Sequence, residues 1–320
     1  MLKTMYTMQY DIQVGNYRLG MLDKVEIHKS VEQLADTAVI TLPASQYNCA
    51  LQVEGKLKRG DSVTIKFGYK ETGLELEFAG WLQRISTDGG NLKLHCEDNL
   101  FLFRKEMPNE VLKNVKLEDL LKKVINGCGV AVEISCSYSW TYSKFVINNA
   151  TGYDVLKKIQ EESGADIYLD ERLHVHPPGE IVGIERFYDL ALNVEKEDLT
   201  YRRAEDKKVK VVVKALLSDG TVREVETGST GGEKVEIKCP TSDEASMKAR
   251  GELEVKRRTF DGYEGSITGW LIPMCKPADS VTLKDRDYPY KDGTYFVTSV
   301  TTEFGKEGGS RKIDLGFRLS

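Results

Sequence analysis

Lys58-Arg59-Gly60-Asp61-Ser62-Val63-Thr64-Ile65-Lys66 returns near the other end of the chain as Lys276-Pro277-Ala278-Asp279-Ser280-Val281-Thr282-Leu283-Lys284. Six of the nine positions are identical, and Ile65 is answered by Leu283. In both copies a polar turn leads into alternation: Val63, Ile65 and Phe67 in the first, Val281 and Leu283 in the second. A period of two puts every other side chain on one face, as in a half-buried strand. Each copy is followed by a second strand candidate, residues 78–86 and 294–302. A glycine turn comes next, Asp88-Gly89-Gly90 or Glu307-Gly308-Gly309. A third alternating run closes each set: Leu92, Leu94, Cys96 and Ile313, Leu315, Phe317, Leu319. Because the order of elements repeats as well as the words, the chain reads as two copies of one small β-domain. Asp61 and Asp279 are expected at equivalent turns.

Around this frame the first hundred residues read as β-structure, with further strand candidates at 10–19, 21–28 and 36–43. Short strands broken by Gly and Asp turns suggest a small barrel or sandwich. After Met107-Pro108 the period changes. Leu117, Leu120, Leu121, Val124 and Ile125 fall on one helical face, with Gly127 placed as a stop. A second helix is expected from Thr151, whose hydroxyl and Asp154 form a capping box, and it ends at Gly164. From about residue 195 the chain returns to strands. Val209, Val211, Val213, Ala215 and Leu217 alternate, Asp219-Gly220 signals a hairpin, and Val235 and Ile237 make another strand. A third helix opens near Thr241, capped by Thr241 with Glu244, with Ala245, Ala249 and Leu253 as its apolar seam.

The predicted fold is therefore mainly β with α+β insertions: two related small β-barrel domains and a central α+β domain. The first barrel takes residues 1–105 and the middle domain 106–194. The second barrel takes 195–240 together with 262–320, interrupted by a helical insertion at 241–261.

At 320 residues the chain has room for two or three cores. Its net charge of −5, with acids and bases mixed, argues against a nucleic-acid binder, which would show a basic face. No apolar run approaches the roughly 20 residues that span a bilayer, so no stable membrane insertion is expected. Met1 to Tyr6 lacks the apolar core of a signal peptide, which makes cytosolic synthesis the default. Cysteines at 49, 96, 128, 136, 239 and 275 form no C-x-x-C pair and are expected to be reduced and mostly buried.

The sequence assigns no catalytic, cofactor-binding or metal residue. His174-Val175-His176 would set two imidazoles on one strand face, but no acidic or thiol cluster completes a ligand set, so a surface pair is expected. His28 and His95 are isolated. The glycine runs at 88–90 and 228–232 lack the lysine and strand–helix frame of a phosphate cradle. Glu161-Glu162 and Asp285-Arg286-Asp287 offer carboxylates without selecting a facing pair. Lys207-Lys208 and Lys256-Arg257-Arg258 read as solvated faces, or as docking surfaces for an acidic partner. Trp81, Trp140 and Trp270 are scattered as core and interface residues would be.

The C-terminal third resembles a known family. A helix around Ala245-Ser246-Met247-Lys248-Ala249 precedes Lys256-Arg257-Arg258. Then come Gly269-Trp270-Leu271-Ile272-Pro273, the repeat phrase and the run Asp292 to Thr302. The N-terminal half agrees, with Ile40-Thr41-Leu42-Pro43, Arg59 to Val63 and Phe78-Ala79-Gly80-Trp81-Leu82, as does the helix Asp154 to Ile159 before Gly164. This order is similar to the late control gene D family of phage, the baseplate hubs of contractile tails, and to the hub part of type VI secretion spike proteins. The family's usual Pro-Gly before the strand is Pro277-Ala278 here, at a place where Ala takes positive φ only at a cost. The resemblance implies a homotrimer whose two barrels per chain make six similar units round a channel. Such a ring adapts a sixfold tail tube to a threefold spike. It implies a structural part of a virion or injection particle rather than an enzyme, with tail tube and baseplate proteins as partners and no nucleic-acid sequence recognition. Since the final alternating run reaches Leu319, the spike is expected to be a separate chain. The alternative is a secreted or cell-wall-acting hydrolase or carbohydrate-binding β-protein, which would need a convergent acid/base set in a cleft.

Overall fold

A computed structural model describes residues 6–43, 53–88, 91–216, 221–239, 241 and 243–320. The expected turns at Gly89-Gly90 and Asp219-Gly220, and Cys49, lie outside them.

The chain is mainly β. The first β-unit comprises β1 (Met8–Val14), the short β2 (Tyr17–Arg18), β3 (Lys24–Ser30), β4 (Thr37–Leu42), β5 (Ser62–Tyr69), β6 (Gly73–Asp88) and β7 (Asn91–Glu97). Its hydrogen-bonded path runs β3-β4-β7-β6-β5-β1. The two ends of that path face one core, since Ile12 and Val14 of β1 cluster with Val25 and Ile27 of β3. A sheet whose end strands share a core is rolled on itself.

A middle region follows. It holds β8 (Glu110–Lys116), α1 (Leu117–Cys128), β9 (Glu133–Cys136), β10 (Thr141–Ile147), α2 (Gly152–Ser163), β11 (Asp166–Leu169) and β12 (Arg172–His176). The face of α1 expected from its spacing is buried, but its stop is Gly129, with φ 61°, and not Gly127. Thr151 and Asp154 cap α2 reciprocally and Gly164 ends it with φ 69°. Strands β8 and β10 form a pair that carries no clean alternation in the sequence.

The rest comprises β13 (Glu185–Asp189), β14 (Lys196–Arg202), β15 (Val209–Leu216), β16 (Val222–Gly228), β17 (Glu233–Lys238), α3 (Glu244–Arg258), β18 (Gly262–Gly269), β19 (Ser280–Lys284), β20 (Gly293–Gly305) and β21 (Gly308–Arg318). The second β-unit is the path β14-β18-β21-β20-β19-β13. Its core holds Tyr188, Ile267, Val281, Tyr295, Val300 and Ile313.

Four expectations about this part change. Residues 209–238 do not complete the second unit: β15 pairs with β16 and β17 in a separate sheet, and Val209, Val211, Val213 and Ala215 share the core of the middle region. Val211, Val212 and Val213 are all buried, so both faces of β15 are covered, one of them with help from Met247 of α3. Alternation of small apolar residues identified the strand but not the core it serves. Conversely β13, assigned to the middle domain, pairs with β19 in the second unit. Helix α3 is capped by Asp243, which accepts from the Ser246 N–H, and not by Thr241. Its buried residues are Met247, Gly251 and Glu254, while Ala245 and Ala249 are exposed. Among the described residues no helix is long and apolar enough to cross a membrane.

Candidate functional site: an internal junction and two open edges

The repeat phrases occupy the same place in their units. Asp61 accepts the Lys58 N–H at 2.7 Å and donates its own N–H to the Lys58 carbonyl at 3.0 Å. Asp279 does both with Lys276, at 2.9 and 3.2 Å. The Leu82 N–H donates to the Asp61 carbonyl at 2.8 Å and the Val297 N–H to that of Asp279 at 3.0 Å. One step further both strands bulge. Gln83 is the extra residue between the pairs Leu82↔Cys96 and Arg84↔His95, and Thr298 between Val297↔Leu315 and Ser299↔Asp314.

Ala278 does take positive φ, 65°, where Gly60 has 90°. That conformation costs a non-glycine residue about 1 kcal/mol. The Ala278 methyl is buried with Val31, Phe296 and Phe317, and burying one methylene-sized group contributes about 0.8 kcal/mol. The two nearly cancel, so alanine is tolerated here.

From the bulges the equivalence runs outward strand by strand. Val300-Thr301-Thr302-Glu303 of β20 answers Ile85-Ser86-Thr87-Asp88 of β6. Lys312, Thr268 and Lys196, stacked across β21, β18 and β14, answer Lys93, Thr41 and Lys24 across β7, β4 and β3. One strand departs from the scheme: β13 runs parallel to β19, whereas β1 runs antiparallel to β5.

The two units join edge to edge. Strand β3 pairs antiparallel with β20 from Ser30↔Ser299 to Lys24↔Gly305, which makes one thirteen-stranded sheet. Side chains fasten the seam. His28 Nδ1 lies 3.1 Å from Thr301 Oγ1, and Lys24 Nζ reaches Glu26 at 3.1 Å and Glu303 at 3.0 Å. Phe304 enters the first unit's core and stacks on Phe67, with ring centroids 4.4 Å apart. Glu77, skipped between the pairs Ile65↔Phe78 and Lys66↔Leu76, meets Arg311 of β21 at 2.6 Å. Both side chains are at most 4% exposed, and Arg311 also donates to the Leu271 and Cys275 carbonyls. Nothing in the residue pattern marks Glu77 or Arg311. The equivalence of β6 and β20 could have been found by extending the repeat through the bulge.

His174 and His176 are buried, not a surface pair. Strand β12 is central in its sheet, between β11 and β9, and the ring of Tyr168 stacks on His174 at 4.6 Å. A hydrogen-bonded line runs from Asp170 to His174 Nε2 (2.9 Å) and from His174 Nδ1 to His176 Nε2 (3.2 Å). It continues from His176 Nδ1 to Ser137 Oγ (2.7 Å) and from Ser137 to Glu180 (2.8 Å). Burial works to raise Asp170, but the bonds from His174 and the Arg172 N–H outweigh it and hold the carboxyl at about 2. Burial lowers His176. A serine beside a histidine is a nucleophile's geometry, but none of these residues lines the surface cleft of about 1340 Å³ between Trp270, Tyr69 and the β20–β21 turn. Among the described residues no group of three or more His, Cys, Asp or Glu is placed to hold a metal. Burial pushes the thiols of Cys96 and Cys275 up to about 12, which leaves them protonated and unreactive. The basic run at 256–258 is internal fastening: Arg257 pairs with Glu32, Arg258 with Glu254, and Lys256 lies over Phe317.

No family model and no curated protein matches the chain. Solved structures do. A tail protein of Neisseria meningitidis aligns over 97% of each chain with a TM-score of 0.68 and 14% identity. A 43 kDa tail protein of a Shewanella oneidensis prophage aligns over 97% of this chain and 98% of its own, with a TM-score of 0.65 and 14% identity. A type VI secretion component of E. coli, described as similar to bacteriophage T4 tail proteins, aligns over 97% of this chain and 77% of its own, with a TM-score of 0.58 and 10% identity. The chain has the fold of phage tail and type VI secretion proteins.

Proposed function

We propose that the chain is a structural baseplate hub of a contractile phage tail or related injection machine. In this reading it acts as a homotrimer between a sixfold tail tube and a threefold spike supplied by another chain. The observation that supports this best is the pair of equivalent β-units fixed in one sheet. Two like units per chain present six similar faces when three chains close a ring, and three-chain symmetry at the other end. A rigid seam suits such a ring, because the angle between units has to repeat without drift. The Phe304 stack and the buried Glu77–Arg311 pair fix that angle. The middle region and the β15–β17 sheet, sharing one core, form the part outside the two units. The role is one of shape and contact, with no bound cofactor.

The test is the mass of the purified protein by light scattering, alone and mixed with a candidate spike protein. Three chains per particle, with or without spike, is the expected result. A single-chain mass at high concentration in both samples counts against the hub.

A further inference from the structure

We infer that neighbouring copies of this chain join through β14 of one and the Arg84–Ser86 stretch of β6 in the next, in a register fixed by the internal β3–β20 junction. The inference rests on the ring reading above and adds to it the edges, the register and the residues.

In the second unit, β20 gives one edge to β19 as far as Phe296↔Ser280, and beyond the bulge gives that same edge to β3. In the first unit, β6 gives the equivalent edge to β5 as far as Trp81↔Ser62. Beyond its bulge, Arg84, Ile85 and Ser86 pair with β7 on one side, and among the described residues no strand lies on the other. The counterpart of β3 is β14, which among the described residues ends the sheet and pairs only with β18. Each unit thus has one socket and one plug. Inside a chain the second unit's socket, β20, holds the first unit's plug, β3. What is left over is the first unit's socket, β6, and the second unit's plug, β14. These fit each other, and among the described residues β14 and β6 do not pair within the chain, so the join is made to another copy. Unpaired strand edges are natural pairing surfaces.

The register follows by substitution. Lys196 stands for Lys24 and Arg84 for Ser299, so Thr200 falls opposite Ser86 of the next chain, and Tyr201 opposite Ile85. The internal counterparts of Thr200 and Ser86 are His28 and Thr301, whose side chains touch across the seam at 3.1 Å. Lys196 and Asp198 repeat the Lys24–Glu26 pair in type and spacing. Leu199 repeats Ile27. One pair does not fit as well: Arg202 meets Arg84, although Glu264 already neutralises Arg202 at 3.2 Å. Directly opposed residues of an antiparallel pair have Cα atoms roughly 4.5–5.5 Å apart, inside the roughly 4.4–6.8 Å that a disulfide spans.

The experiment uses the full chain carrying Thr200→Cys and Ser86→Cys together, oxidised mildly with and without the spike and run on a non-reducing gel beside each single variant. The expected result is covalent two- and three-chain bands that stop at three, absent from both single variants. A slipped double variant, Thr200→Cys with Arg84→Cys, should link at least fivefold less. Particles of three-chain mass that fail to link through 200 and 86, or that link equally well in the slipped register, overturn the edge assignment and leave the hub reading standing. Linking that continues past three chains overturns ring closure. A double variant that stays single-chain in mass under every condition, with a native circular dichroism spectrum, overturns both.

Discussion

At the scale of single residues the two copies of the repeat do equal work by unequal means. Asp61 directs its carboxylate to one neighbouring N–H, that of Lys58, within its own turn. Asp279 is buried and accepts from two: the Lys276 N–H and, at 2.7 Å, the N–H of Ile184, with the Arg186 guanidinium 3.5 Å away. It therefore ties the turn to the segment that leads into β13. Each charged hydrogen bond contributes roughly 1.5–3 kcal/mol, and a buried donor left unmet adds its desolvation cost. Asp279→Ala should then destabilise the chain by about 3–6 kcal/mol and Asp61→Ala by about 1.5–3 kcal/mol. Urea unfolding of the two variants measures the difference, and equal losses would show that the Ile184 bond carries no weight. Glycine and alanine follow the same logic at the preceding position. Gly60 has open space about it and carries only its conformation, whereas Ala278 offsets strain with a packed methyl.

At the scale of elements the seam depends on a displaced residue. Without the bulge in β6, Glu77 would sit in register with β5. With it, the carboxylate leaves its own unit and crosses to Arg311. A buried pair stabilises little relative to an apolar replacement, but removing one partner strands a charge at a cost of about 3–5 kcal/mol. Glu77→Ala should lose that much. Glu77→Met combined with Arg311→Met should recover more than half, and thermal melts of the three proteins decide it. A double variant no better than the single would mean that the pair packs the seam and does not merely neutralise it. Much at this scale was legible in the sequence. The meander after each phrase, the faces of α1 and α2 and the Thr151 cap all follow from local period and turn chemistry. What was not legible depends on long-range partners. Alternation in β15 could not say which core it faced. The clustered residues of α3 misled because its buried side uses Gly251 and Glu254. His174 and His176 looked exposed because only the sheet order places β12 between two neighbours. The junction residues Glu77 and Arg311 are 234 positions apart, and no spacing rule spans that.

At the scale of the whole molecule, buried acids gather where the middle region meets the two β-units. Burial raises Asp36 to about 6 and, with the Asp36 charge beside it, Asp98 well above the ordinary carboxylate range; both belong to the first unit. Burial raises Asp166 of β11 to about 7, even though it accepts the Gly179 N–H at 2.6 Å. A carboxyl that holds its proton more tightly when folded stabilises the fold at low pH. It loses that contribution as pH rises from the unfolded value near 4 through the folded value. For Asp166 the window is about pH 4 to 7, and the loss is on the order of 4 kcal/mol. His176 acts in the opposite sense. Its folded value is depressed, so acid below its ordinary value near 6.5 weakens the fold. Asp170, held at about 2, contributes a constant amount over this whole range. Burial also raises Glu162 and lowers His95. Four raised carboxyls outweigh two lowered imidazoles, so the chain should be more stable at pH 5 than at pH 8, with a melting temperature higher by about 5 °C or more. Asp166→Asn keeps an acceptor for Gly179 and removes the proton, so it should flatten the profile between pH 5 and 8 and raise stability at pH 8. A melting temperature that falls steadily from pH 8 to pH 5 would mean these carboxyls are ionised in the folded chain. The contact between the middle region and the units would then have to be held by charge pairing such as Arg257 with Glu32, and not by the neutral hydrogen-bonded acids that its burial favours.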